Sequence, residues 1–350
     1  MKHFISASLL SILTLLLVSW KGIKEGVISE GSEPEVSLDS KGVIRAVFGR
    51  SDSIFYVSST DKGINISHPL FIEHIPQMHL GNTRGPLIAA SDRYSIITAM
   101  DKKGDIHWFL LDNSKGKIVK KGYINDQRAS APEGLMGISA DDHDHFYAVW
   151  LDCRINKRNN IFFSDFSARD AKWSVNKLVY RSPDGHTCEC CKPNIAVHKE
   201  HVAIMFRNWL NGSRDLYFTE SFNKGNSFNK PQKLGTGTWK LNGCPMDGGG
   251  IVIDNNNTIH TIWQREGVVY YCRPGQNEIK LDKGRSCTII NSNNEIFCSF
   301  QDGENLKLAN ITKNNITSIG KGTFLKSIVL PDNSIFSVWE ENKKIKYKCL

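Results

Sequence analysis

An apolar stretch, a polar turn and a second apolar stretch recur along this chain, and that repeat limits the possible folds more than any other feature. The paired stretches begin at Pro34, Pro86, Gly134, Pro193, Gly249, Ser286 and Lys326, with separations of 52, 48, 59, 56, 37 and 40 residues. In most of them Asp, Asn, Ser or Gly sits between runs of β-forming residues, which is hairpin-turn chemistry. A third alternating stretch follows each pair, as in "SIFYVSS", "NIFFSDF" and "GVVYYC". Fourth, outer stretches follow most of these, for example "PLFIEHI" from Pro69 and "KIVKKGYI" from Lys117. Helical periodicity is nearly absent after residue 30. Four short strands at such spacing predict an all-β fold, a β-propeller of four-stranded antiparallel blades. The count is seven blades; six is the alternative, because the last two units are short and lack clear turn signatures. The seventh unit reaches Leu350 without a fourth strand. The segment "KEGVISEG" from Lys24 has the character to supply it, closing the ring and removing a bare sheet edge.

Composition narrows the class. The 350 residues are 40% hydrophobic and 10% aromatic, enough for a sizeable core. The net charge of +8, from 44 Lys and Arg against 36 Asp and Glu, is mostly scattered Lys. No dense basic block with interleaved aromatics is present, so nucleic acid is not an expected partner. A mild attraction for acidic ligands remains. Lys2 and His3 precede an uncharged run from Phe4 to Trp20, which reads as a signal peptide, or as a signal anchor, over residues 1–22. Residues 23–350 then form a single propeller domain. No cysteine directly follows the apolar run, and no other segment approaches the ~18 apolar residues of a membrane span. The expected location is therefore outside the cytoplasm, as a secreted, periplasmic or N-terminally anchored monomer. Nine cysteines would sit where disulfides can form.

Between third and fourth strands a second signature occurs. Ser59 to Ile66 reads "STDKGINI" and Ser221 to Phe228 reads "SFNKGNSF". Asp112 to Val119, "DNSKGKIV", is a faint copy, and "SARDAKW" from Ser167 is a shortened one. These follow the Asp-box, S-x-D-x-G-x-x-aromatic, and the chain resembles the sialidase-like Asp-box (BNR) propellers. It is most similar to an exported bacterial group carrying "CECC" at Cys188, "FRNWLNGSRDLYF" at Phe206 and "GTWKLNGCPMDGGG" at Gly237. With "RGP" at Arg84 and "EGLMG" at Glu133, the likeness covers most of residues 34 to 270. It implies a carbohydrate-related role. The Asp-box itself is a structural turn.

Strand direction alternates within a blade, so the loops before first strands and those joining second to third strands share one face. Arg84 and Glu133 precede first strands, as do Cys188, Cys190, Cys191, Cys244 and Asp247. Arg50, Asp152, Arg154, Arg207, Asn208 and Arg265 follow second strands. The arginines suit carboxylate or sulfate groups of a carbohydrate or other anionic ligand; each could instead bond loop carbonyls or a neighbouring acid. Glu133 and Asp152 are the acid/base candidates of a glycoside hydrolase or lyase. No F-R-I-P-like motif and no pocket tyrosine accompany them, so the sialidase signature itself is missing. A non-catalytic glycan- or protein-binding propeller is the alternative. Cys188, Cys190, Cys191 and Cys244 could form disulfides tying two loops together, one natural pair joining Cys244 to a member of "CECC". A zinc or copper thiolate site with His186, or a redox role, is the minor reading; otherwise no cofactor is expected.

Overall fold

The computed structural model describes residues 24–292 and 295–350. The signal segment lies outside them. Seven antiparallel sheets are arranged as blades, and no helix occurs among the described residues. Six sheets have four strands. In blade three the outer position is split between Lys172–Trp173 and Lys177–Tyr180, both pairing with Asn160–Ser167. The first strands of the blades are Ser32–Leu38, Leu87–Ala90, Met136–Ala140, Asn194–His198, Gly250–Ile253, Arg285–Ser292 and Thr323–Val329. They are innermost and contact one another in sequence around the axis.

The burial pattern explains why second strands read as continuous apolar runs. Strand His201–Arg207 is buried at every position, and Ile44–Arg50 at all but the last. Both faces of such a strand are covered by neighbouring blades, so the alternation of a one-sided sheet disappears. Outer strands behave oppositely: Lys117–Tyr123 and Asn315–Lys321 are mostly exposed. Apolar clusters fill each seam. Val47, Ile54 and Ile97 join blades one and two, while Phe206 packs with Phe163 between three and four.

Strand Lys24–Glu30 pairs with Lys344–Cys349 from Lys24↔Cys349 to Glu30↔Lys344. The chain therefore closes its last blade with its first strand, as the sequence indicates, and blade seven is a full blade. On the face away from the candidate site, two turns share one bonding pattern. Ser59 Oγ donates to Asp61 Oδ1 (2.8 Å) and accepts from Gly63 N; Ser221 Oγ does the same with Asn223 Oδ1 (2.8 Å) and Gly225 N. Gly225 has φ +80°, and a Cβ there would lie 2.3 Å from the Phe163 ring, so both conformation and space demand glycine.

Removing residues up to Glu30 should open blade seven. Six paired positions are lost. At about 1 kcal/mol of net stability per ladder hydrogen bond, the expected cost is on the order of 5 kcal/mol. Chemical denaturation of the shortened chain measures it; an unchanged midpoint would mean that this strand does not hold the ring shut.

Candidate functional site

The inner strands surround an axial channel of about 370 Å³. Its mouth carries four ionisable side chains from three blades: Glu33 and Glu35, Lys192 and Lys326. Lys326 Nζ lies 3.2 Å and Lys192 Nζ 3.8 Å from Glu35 Oε2. Thr83 N donates to Glu33 Oε1 at 2.8 Å. Burial raises the Glu33 carboxyl to about 8, against the pull of Lys326. Burial, helped by Lys326, lowers the Lys192 ammonium to about 8. Sequence reasoning missed this cluster, because "PEV" and "CKP" look like ordinary strand starts. The only available signal was charge at the first residues of innermost strands.

The neighbouring Gly-rich run is built for close approach. A Cβ on Gly248 would lie 1.8 Å from Lys192 O, so only glycine lets these two inner segments touch. Asp247 beside it is buried; its carboxylate accepts from Gly249 N (3.0 Å) and Ser286 N (2.7 Å), and burial still holds its pKa above the usual value.

Most of the expected arginines are occupied by the protein. Arg207 is 1% exposed and donates to three main-chain oxygens, those of Asp247, Arg214 and Gln264. It braces three loops from within rather than facing a ligand. Arg265 is paired with Glu278 and lies over Tyr270. Arg154 is shared between Asp152, Asp126 and Asn176. Arg50 is exposed, with its guanidinium 4.2 Å from the Phe55 ring. Asn208 donates to Tyr180 Oη at 2.9 Å and leaves its own Oδ1 without a partner. Asp152 is fully buried and accepts from Ser130, Trp150 and both the main chain and guanidinium of Arg154. Such a saturated carboxylate shapes its loop; a proton-transfer role needs an oxygen that a substrate can reach.

Arg84 and Glu133 are brought together, at the rim over blades two to four. Arg84 Nε donates to the main-chain oxygen of Glu133 at 2.5 Å, and Nη2 lies 3.7 Å from its carboxylate. The Glu133 side chain is 36% exposed. Desolvation raises its pKa; Arg84 and the Asn159 side chain oppose that shift, and nearby Glu189 adds to it. Glu189 stands between the cysteines of "CECC", 3.7 Å from Arg158 Nη1 and 3.8 Å from His186 Nδ1. Asn159, buried behind Glu133, keeps an unpartnered Oδ1. Sequence reasoning passed over Glu189, Arg158 and Asn159, since the cysteine pattern masked the acid inside it.

The cysteine loops meet. Cys190 is bonded to Cys244, which ties the "CECC" loop to the "GCPMDGGG" loop. Cys188 and Cys191 are buried free thiols with sulfurs 3.2 Å apart, and Cys188 Sγ lies 3.8 Å from Cys190 Sγ. Arg214 Nη1 donates to Cys188 Sγ at 3.0 Å, and Arg214 stacks on Trp209. A hydrogen bond with Cys191, with Arg207 and Arg214 contributing, holds the Cys188 thiol below its usual value against burial, while burial pushes Cys191 well up. The three "CECC" sulfurs lie within 4.8 Å of one another, a separation that a soft metal ion could span if the Cys190–Cys244 bond were reduced. Cys287 and Cys298 are buried and unbonded.

No family model matches the chain, and no curated protein does. Solved structures do match. The chain is similar to a polysaccharide lyase of family PL25, an ulvan lyase described bound to -[GlcA(1-4)Rha3S]- (TM-score 0.60, 10% identity, 92% of this chain and 94% of that one). It is similar to polysaccharide lyase Uly1 (TM-score 0.58, 10% identity, 93% and 91% covered) and to the RRP9 WD40 repeats (TM-score 0.57, 9% identity, 94% and 99% covered). At these identities the likeness is one of fold.

The raised Glu33 carboxyl has a consequence for stability. Between its ordinary value of 4.5 and about 8 the unfolded chain has released this proton while the folded chain keeps it. Stability should therefore fall as pH rises through that window. Glu33→Gln preserves the acceptor for Thr83 and removes the titration. The variant should be more stable than the parent at pH 7, by on the order of 3 kcal/mol, with no advantage below pH 4. Urea midpoints at the two pH values check this; equal differences at both would refute it.

Proposed function

We propose that the protein binds and processes an acidic carbohydrate at the Arg84–Glu133 rim, with Glu133 as proton donor and Glu189 as the second carboxylate. The observation that carries this reading is the state of Glu133. It is a half-exposed carboxyl held above its ordinary pKa by desolvation, with a guanidinium at its side and another acid close enough to perturb it. That is the direction in which a proton donor's carboxyl must be shifted. Arg84 and Arg158 supply forks suited to a carboxylate or sulfate on a sugar. Two structural neighbours are named as polysaccharide lyases, which fits by analogy of fold and stops there. Glu133 retains the acid/base role expected from the sequence. Asp152, enclosed by Arg154 and Trp150, gives up that role to Glu189. The surplus of basic residues fits an anionic ligand, and the proposed location is extracytoplasmic.

Acidic polysaccharides of several classes can be screened for new reducing ends and for the ultraviolet absorbance of unsaturated products. Glu133→Gln should reduce turnover roughly 100-fold while binding is kept. Arg84→Ala should weaken binding about tenfold or more. The alkaline limb of the pH profile should lie above the usual carboxylate range, because the acid must stay protonated. Binding without release would make this face a lectin surface; binding unaffected by loss of both Arg84 and Arg158 would show that the ligand sits elsewhere.

A further inference from the structure

The four motif cysteines form a graded series. Cys244 is exposed, Cys190 is half-buried, and Cys188 and Cys191 are buried. Consecutive sulfurs touch: Cys244 is bonded to Cys190, Cys190 is 3.8 Å from Cys188, and Cys188 is 3.2 Å from Cys191. Cys244 lines a groove of about 490 Å³ on the same face, together with Trp239, Leu241, Pro245, Glu266 and Arg285. Nothing in the carbohydrate reading uses these sulfurs.

We propose that this series is a thiol–disulfide exchange site, in which the buried Cys188/Cys191 pair reduces the Cys190–Cys244 bond and presents Cys244 to a disulfide compound in the groove. The electropositive Arg214 fork at Cys188 Sγ favours the thiolate, which is the nucleophile in such exchange. The steps balance without an outside oxidant. The Cys188 thiolate attacks Cys190 Sγ, forming a Cys188–Cys190 bond and expelling the Cys244 thiolate. Cys191 loses its proton, which the Cys244 sulfur takes up through solvent, and attacks Cys188 Sγ. A Cys188–Cys191 bond forms and the Cys190 thiolate departs. Two electrons have moved from the inner pair to the outer pair. The freed Cys244 then attacks an external disulfide, one of its sulfurs leaves as a thiolate, and Cys190 resolves the mixed disulfide by attacking Cys244 Sγ. The substrate is thereby reduced to two thiols and the outer bond restored.

Alkylation of the full chain by N-ethylmaleimide without reductant, followed by peptide mass mapping, tests this. The half-buried free thiols Cys153 and Cys349 serve as internal references. In the parent, Cys244 should be tagged and a Cys188–Cys191 bridge should appear. Cys188→Ala should keep Cys190–Cys244 intact and slow Cys244 tagging roughly tenfold or more. Cys191→Ala should stop the sequence after its first step, leaving a Cys188–Cys190 bridge beside tagged Cys244. If Cys188→Ala fails to fold, Arg214→Gln keeps all four sulfurs and should still slow tagging. Equal tagging in the parent and Cys188→Ala would overturn the proposal. So would stoichiometric zinc or copper held by the four sulfurs. The tagging measurement contains no carbohydrate, so its outcome stands apart from success or failure of the carbohydrate reading.

Discussion

Each blade buries its middle strands only because a neighbouring blade covers them. Seven apolar clusters, each shared by two adjacent blades, fill the seams from Val47 and Ile97 round to Phe48 and Phe336. A sheet of four strands could not hide both faces of Ile44–Arg50 or His201–Arg207 alone. The ring must therefore close, and the pairing of Lys24–Glu30 with Lys344–Cys349 is what closes it. This dependence fixes where chemistry can occur. With the seams packed, polar groups from different blades meet at the two faces and along the channel, as Lys326 and Lys192 do with Glu35 at its mouth.

The architecture was legible because blade geometry is written locally. Turn residues, strand length and the apolar second strands all recur within each unit, so the one long-range pairing needed was the Lys24 segment closing the last blade. The uncertainty over a sixth or seventh blade has a local cause too. Blades one, six and seven each start through a positive-φ residue, Glu33, Ser286 and Phe324, with a register shift beside it, so a bulge interrupts the strand pattern at the starts of the last two units. The strands of blade six are long nonetheless, and all four pair with one another in a complete sheet.

The site was legible only in outline. Residue type announces that an arginine carries charge and a planar fork, and chain order places it on a face. Neither says what the fork meets. Arg207 meets three main-chain oxygens, Arg265 meets Glu278, and Arg154 meets Asp152, partners set by side-chain direction and by loop courses that are not written in the strand pattern. Arg84 and Glu133 stayed together because both stand just before first strands of adjacent blades, so ring order alone makes them neighbours. The axial Glu33, Lys192 and Lys326 come from blades one, four and seven, and only the closed ring joins them.

Glu189 lies between Cys188 and Cys190, which puts a carboxylate of the proposed sugar site inside the sulfur loop. The two chemistries are then not independent in position, even though no atom is common to both. The course of that loop is held at one end by Cys188 N bonding Arg207 O and in its middle by the bond to Cys244. Thr187 N, two residues before Glu189, donates to Asn159 O, and the Asn159 side chain favours the charged form of Glu133. A chain of contacts therefore runs from the sulfurs through Thr187 and Asn159 to the raised carboxyl. Arg207 anchors the same loop to Asp247 and Gln264 across the face. A buried guanidinium whose partners are all main-chain oxygens gains no opposing charge from them. That guanidinium favours the charged forms of the Cys188 thiol and the Asp247 carboxyl beside it, while burial opposes the charge in each.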